Sequence, residues 1–285
     1  DGIVEGGTTG LAKLPGLFII SRTSAFTYKG KSVQVQDVSR ELGVRYVLEG
    51  SVQKAAHDHI RVTVQLIDAT TDHHVWAEEY DRPVTDIFAV RDEITRKLVT
   101  HVAPRITAVE QERLERTYAG NPEAYAYFVR GSFSWQQGGD KERNSEGRQL
   151  CQKAVEIDPT YAHAYVCIGL SYWHAWIFSW TQDPQAFEQV LSYGQKAVAL
   201  DDSLSLAHEL IGIHYVAKQE YERALPELQR AVELGPNWSS PHAALGMALN
   251  ATGRAAEAIP LLEQAVRLNP RHPLWAASYL ATLGN

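Results

Sequence analysis

Ala197-Val198-Ala199-Leu200-Asp201-Asp202, Ala231-Val232-Glu233-Leu234-Gly235-Pro236 and Ala265-Val266-Arg267-Leu268-Asn269-Pro270 are three copies of one cassette, each 34 residues after the last. A fourth, Ala154-Val155-Glu156-Ile157-Asp158-Pro159, stands 43 residues before the first of them, so the same unit is present there with nine extra residues. A period of this length marks stacked helix-turn-helix units, which bury their apolar faces only against neighbours. More than half of the chain is therefore expected to present a surface rather than to enclose a reaction.

Placing the cassette alanine at position 27 of a 34-residue unit puts Gly212 and Gly246 at position 8 and Tyr215 and Leu249 at position 11. Ala224 and Ala258 then fall at position 20, and Leu228 and Leu262 at position 24. These small and large knobs resemble those by which helix A meets helix B in the tetratricopeptide repeat. Earlier units are looser. Ile168-Gly169 with Tyr172 supplies a helix A, after which Trp176 to Pro184 is expected to lengthen the turn. The first unit has Ser134-Trp135, the turn Gly138-Gly139-Asp140, and a helix near Asn144 to Ile157. Four repeats from near Asn121 are expected within a domain spanning 119–285, with Leu274 to Leu283 as a capping helix.

In arrays of this family, positions 2, 5, 9, 12 and 13 of helix A line the concave groove. Here these are His163, Val166, Leu170, Trp173 and His174, then Leu206, Glu209, Ile213, Val216 and Ala217, then Ser240, Ala243, Met247, Asn250 and Ala251. The lining is mostly apolar and carries no Lys or Arg, unlike tetratricopeptide domains that grip a C-terminal carboxylate. It suits an apolar or amphipathic polypeptide segment. Self-packing against the N-terminal domain is the alternative. Trp173, Trp176 and Trp180, with Tyr172 and Phe178, read as core beneath the insertion, with an exposed aromatic lip as the alternative.

The net charge is -7, with 15 basic and 17 acidic residues in 1–120 and 12 and 17 in the remainder. Neither part has the clustered cations that a nucleic-acid footprint needs. No stretch of about 18 uncharged apolar residues occurs, so no membrane insertion is expected. The only cysteines, Cys151 and Cys167, read as reduced core thiols, with a bridge or redox pair as the alternative. That thiol reading leans towards the cytoplasm, with the periplasm open. The start at Asp1 reads as that of a fragment or processed product.

Before the repeats the apolar period changes from helical to alternating. Leu17 to Ser21 reads as a short strand, Val35 to Leu42 as a helix stopped by Gly43, and Tyr46 to Gln53 as a strand. Ile60 to Asp68 alternates as a half-solvated strand, and Val75 to Tyr80 completes a meander. A helix follows from about Asp86, with Ile87, Val90, Ile94, Leu98 and Val102 on one face. The fold class is thus an α+β N-terminal domain, residues 1–118, followed by an all-α helix-turn-helix solenoid.

The strings Leu14 to Arg22, Tyr28 to Lys31, Glu41 to Val52, Arg61 to Asp68 and His74 to Glu78 resemble, in that order, the TolB N-terminal-type (FlgO-like) domain of bacterial signalling proteins. That domain sits between a signalling output domain and tetratricopeptide repeats. The resemblance implies a regulatory or interaction region downstream of a class III adenylate or guanylate cyclase or a winged-helix regulator. No catalytic residue carries over. Family members have an apolar strand and a Pro-Phe pair before the position of Asp1, which this chain lacks. Gly6, Gly7 and Gly10 are expected to fray the first helix, at roughly 1 kcal/mol each relative to Ala. A missing first strand would leave an open sheet edge through which the chain could pair as a homodimer.

Chemistry is sparse. His57-Asp58-His59 and His73-His74 fall in turns, where solvated His and Asp are common, so no metal site is expected. No metalloprotease, phosphate-loop or nucleophile-elbow spacing occurs, and Gly6-Gly7-Thr8-Thr9-Gly10 precedes no phosphate-binding Lys. Glu49 is expected to pair with Arg22 or Arg45 rather than to receive a ligand. No catalytic residue or cofactor is expected. The leading reading is a non-enzymatic interaction region that grips a partner through the groove. The alternatives are a C-terminal region of a class III adenylate or guanylate cyclase polypeptide and a small-molecule sensor with an interdomain pocket near Trp76, Arg22 and Glu49.

Overall fold

Strand β2 (His59–Asp68) turns Ile60, Val62, Val64 and Leu66 to one side, where none exceeds 8% exposure. Arg61, Thr63 and Gln65 fall on the other, as period-two geometry requires. It is the centre of an antiparallel meander, β1-β2-β3, flanked by β1 (Tyr46–Lys54) and β3 (His73–Pro83). Val62 faces Val52 on one side and Tyr80 on the other. Helix α3 (Ile87–Val102) lays Val90, Ile94 and Leu98 on this face, joined by Trp76 and Tyr80. Lys97 fastens the helix to β3 with a hydrogen bond to Glu78 of 2.7 Å, and it also makes an ion pair with Glu93 at 3.1 Å. The ammonium and the Tyr80 hydroxyl hold the Glu78 carboxyl down at about 2.

These statements rest on the residues that the computed structural model describes, namely 11, 19–31, 33–55, 58–102, 121–136, 140–270 and 281. The chain divides into two units, Asp1–Ala119 and Gly120–Asn285. The helix expected around Gly6 to Gly10 and the capping helix around Leu274 to Leu283 lie largely outside the described residues.

Three expectations for the first unit are corrected, the first being that His59, His73 and His74, expected in turns, stand in strands β2 and β3. Ile19 to Ser21 form no strand; Ser21 instead caps helix α1 (Arg22–Phe26), its Oγ accepting from the Ser24 amide at 3.3 Å. A short apolar run does not distinguish strand from helix approach, and the hydroxyl decides it locally. Glu49 takes an amide in place of the expected arginine: it accepts from Gln65 Nε2 at 2.9 Å across the β1–β2 pair, while Arg45 pairs with Asp68 at 2.8 Å. The Arg45 guanidinium and the Thr70 hydroxyl draw the Asp68 carboxyl down to about 2. Helix α2 (Val35–Leu42) ends at Gly43, as its sequence indicates.

The second unit is a solenoid of four described hairpins. They are α4 (Pro122–Gln136) with α5 (Lys141–Ile157), α6 (Ala162–Ile177) with α7 (Pro184–Leu200), α8 (Ser205–Ala217) with α9 (Tyr221–Leu234), and α10 (Ser239–Ala251) with α11 (Ala255–Leu268). The first of each pair is the A helix. At position 8 of the last two hairpins there is no room for a side chain. A Cβ on Gly212 would lie 2.5 Å from the Leu228 side chain, and one on Gly246 2.7 Å from Leu262. Ala224, Leu228, Ala258 and Leu262 are all fully buried.

The nine extra residues do not only lengthen a turn. Relative to the two following hairpins, the second has three more residues in helix A, three more in the turn and three more in helix B. Adding about one turn to each arm keeps both helices in phase with their neighbours, because three to four residues complete a turn. The A–B turns still close alike: the amides of Trp180, Glu220 and Arg254 donate to the carbonyls of Ala175, Tyr215 and Leu249 at 2.8–2.9 Å. Ser179, Gln219 and Gly253 hold the left-handed conformation there, with φ of 54°, 61° and 78°. Only glycine adopts it without a Cβ penalty. Gln219→Gly is therefore expected to raise stability by about 1 kcal/mol, read as a higher denaturation midpoint; a lower midpoint would count against the assignment.

Cys151 and Cys167 are joined in a disulfide, a correction to the thiol reading. Cys151 on α5 and Cys167 on α6 occupy core positions that face each other across the first and second hairpins, with Cα atoms 6.2 Å apart. Two buried thiols at that separation are within bonding reach. The thiol-based lean towards a reducing compartment loses its support. Between the same two helices, Asn144 Nδ2 donates to the Ser171 carbonyl at 3.0 Å and Ser171 Oγ donates to the Asn144 carbonyl at 3.1 Å, both buried.

Candidate functional site

The repeats are held in step by side chains at one recurring position. The fourth residue of α6, α8 and α10 is Tyr165, His208 and His242, and each meets the carbonyl six residues upstream. Tyr165 Oη donates to Pro159 at 3.1 Å, His208 Nε2 meets Asp202 at 3.1 Å and His242 Nε2 meets Pro236 at 2.8 Å. His208 also meets Glu227 on α9 at 2.7 Å. Hence these histidines tie turns to helices. His214 is fully buried, its ring stacked 4.3 Å from that of Phe187, and burial, with the Lys218 charge, holds it below its ordinary pKa. His59 meets Asp81 at 2.9 Å and His73 meets the Thr71 carbonyl at 3.1 Å. Among the described residues no group of three or more His, Cys, Asp or Glu is arranged to hold a metal ion.

Six of the expected lining residues pack in or against two apolar core clusters of the solenoid. Val166, Leu170 and Leu206 share one apolar cluster; Leu170, Trp173, Ile213 and Val216 share the next. Val166 and Ile213 are buried, whereas Met247 is 42% exposed. Leu170, Trp173, Leu206, Val216 and Asn250 are half-buried. His163 and His174 are also half-buried but are engaged away from the two clusters. The first packs by Phe128 and Tyr161, with ring centroids 6.1 and 5.7 Å away, and the second stacks on Phe178.

Glu209 is the one acidic member of this set, and it is only 6% exposed. Its Oε2 accepts from Ser240 Oγ on the next A helix at 2.8 Å. Burial raises its pKa to about 7, against the opposing pull of that hydroxyl. The folded state therefore holds this proton where the unfolded chain has lost it. The associated stability is complete below the ordinary carboxylate pKa and is lost as pH rises towards about 7. The adjacency of positions 5 and 2 on successive A helices was the available sequence signal for the pair.

The aromatic residues of the second hairpin are not simply core. Trp176, Ile177 and Phe178 are 38–47% exposed at its tip. Trp176 stacks on Trp173 at 5.3 Å and lies 4.6 Å from Phe187, and Phe178 stacks on Trp180 at 4.9 Å. The added helical turn is what carries them outward. In the first unit Trp76 lies on the core side of the sheet, whereas Glu49 and Gln65 lie on the opposite face, so those two do not line one pocket with it.

Among the described residues no helix is long and apolar enough to cross a membrane. Residues 209–273 match the tetratricopeptide repeat family model. Over 214 residues the chain is 42% identical to a protein of Rhizobium meliloti (strain 1021) named putative adenylate cyclase 3, with 75% of this chain and 36% of that protein covered. The chain thus spans about a third of the length of that relative. Among solved structures, a thermophilic tetratricopeptide protein of Thermus thermophilus aligns at 17% identity and a TM-score of 0.48, over 70% of this chain and 95% of that one. The protein YrrB, described as having an unusual peptide-binding site, aligns at 22% identity and a TM-score of 0.38, over 56% and 76%. The helical unit is a tetratricopeptide-like solenoid of paired helices.

Proposed function

We propose that the repeats form the polypeptide-binding region of a bacterial signalling protein and hold a partner segment along the concave side of their A helices. The observation that carries this reading is the meeting of Leu170, Trp173, Ile213 and Val216 from successive A helices in one apolar cluster, while Met247 on the following A helix is exposed. Apolar anchors from a helix or extended segment gain most where several pockets align. The proposed binding residues are His163, Val166, Leu170, Trp173, His174, Leu206, Glu209, Ile213, Val216, Met247 and Asn250.

The named relative supports placing this region in a cyclase-class signalling polypeptide, with any nucleotide chemistry supplied by another part of such a protein. The motif order of the first unit supports a regulatory TolB N-terminal-type domain beside the repeats. Binding, not turnover, is the activity proposed for this chain.

Trp173→Ala and Met247→Ala test the groove without emptying a fully buried site, since Trp173 is half-buried and Met247 exposed. In affinity capture from a bacterial lysate, a partner held by the wild type is expected to be weakened by each variant and kept by a substitution at exposed Glu222 on α9. Full retention by both groove variants would contradict the reading.

A further inference from the structure

Within the apolar lining, Glu209 is out of place as a structural residue. A buried carboxylate is costly unless a counter-charge and hydrogen bonds compensate it. Among the described residues this one takes a single neutral hydrogen bond, from Ser240, and no cation pairs with it. Its position five of helix A faces position two of the next, the register at which side chains line the seam. Apolar residues supply the neighbouring positions of the same helix, Leu206 and Ile213, and Val166 and Ala243 hold the equivalent place on the helices to either side.

The charged and titratable groups of the packed elements are committed elsewhere. On α6, His163 packs on Phe128 and His174 on Phe178. On α7 and the turn after α8, Glu188 pairs with Lys218 at 2.7 Å. On α8 itself His208 meets Glu227 of α9, and His214 stacks on Phe187. Arg223 of α9 pairs with Glu220 at 2.7 Å and donates to Tyr215 Oη at 2.6 Å, and His242 of α10 meets the Pro236 carbonyl. Only burial and the Ser240 hydroxyl act appreciably on Glu209.

We propose that Glu209 is the receptor for a single Lys or Arg side chain carried by an otherwise apolar segment bound in the groove. This rests on the groove reading above and names the chemistry of its occupant. The cation completes the ion pair that the fold leaves open, with Ser240 as the second partner of the carboxylate. Apolar flanking residues exclude water around it, which strengthens the pair. Binding then discharges the Glu209 proton. Affinity for a basic segment therefore rises with pH through the range where the free acid ionises, and affinity for a neutral segment does not.

Random twelve-residue peptides displayed on phage, selected against the whole chain, test this. The wild type is expected to enrich one Lys or Arg flanked by apolar residues, and Glu209→Gln, a neutral mimic of the protonated acid, to lose the basic preference while keeping the apolar one. A synthetic enriched Lys peptide is expected to bind the wild type at pH 8 at least about tenfold more tightly than its norleucine twin, and about equally to E209Q. From pH 6 to pH 8 its affinity for the wild type should rise about five- to tenfold, given ionisation near 7; this arm needs no variant. Enrichment of apolar peptides with no basic residue, or a Lys-to-norleucine ratio unchanged in E209Q, would overturn the role of Glu209 and leave the groove standing. Enrichment of nothing by either protein would overturn both.

Discussion

Leu228→Ala is expected to destabilise the helical unit by about 2–5 kcal/mol, among the largest effects of any single truncation in the chain. Leu228 is fully buried and fills the space over Gly212, where a Cβ would come within 2.5 Å of it. Removing it leaves a cavity between α8 and α9, over Gly212. Each repeat is stable only through its neighbours, so a central loss also uncouples the hairpins on either side. Chemical denaturation followed by circular dichroism measures the loss. Gly212→Ala alone should cost about 1–3 kcal/mol by overpacking, yet in the Leu228→Ala background its methyl group enters the cavity and the cost should vanish. Additive losses would show that the two positions do not meet. By contrast Met247→Ala, at an exposed position, should change stability by no more than about 0.5 kcal/mol.

Breaking the Cys151–Cys167 bridge is expected to cost about 3 kcal/mol. The two cysteines are 16 residues apart, and closing a loop of that size removes about this much free energy from the unfolded ensemble. Both residues are almost fully buried, so reductant reaches them only when the first two hairpins part. The unreduced chain, unfolded in denaturant, should show no titratable thiol. After reduction the midpoint should fall while the helices of the last two hairpins persist longer than those of the first two. Two free thiols in the unreduced chain, or a midpoint unchanged by reduction, would contradict the account.

The periodic parts of this molecule were legible in its residues because each repeats a physical requirement. Small residues at position 8 and leucine at position 24 announce helices in close contact, and alternation from Ile60 to Leu66 announces a strand with one wet face. Elements that depend on a single local contact were not legible. Ile19 to Ser21 look like a strand by composition, but the Ser21 hydroxyl satisfies the Ser24 amide and starts a helix. The bridge was hidden because Cys151 and Cys167 stand at core positions of different helices, and their proximity appears only when the hairpins stack.

The same limit applied to the lining. Its composition showed an apolar surface with one carboxyl, yet the pairing of Glu209 with Ser240 requires knowing that successive A helices touch at those positions. The nine-residue insertion showed the opposite case. Its length was plain, but its division between both helix arms and the turn follows from the need to keep α6 and α7 in phase with the rest. The exposure of Trp176, Ile177 and Phe178 comes from that division.

Hydrogen exchange on the whole chain, free and saturated with a selected twelve-residue peptide, tests the groove most directly. Slowed exchange is expected in the A helices, 162–177, 205–217 and 239–251, with little change in 221–234 and 255–268. Protection confined to those B helices or to the sheet at 46–83, with none on the A helices, would contradict it.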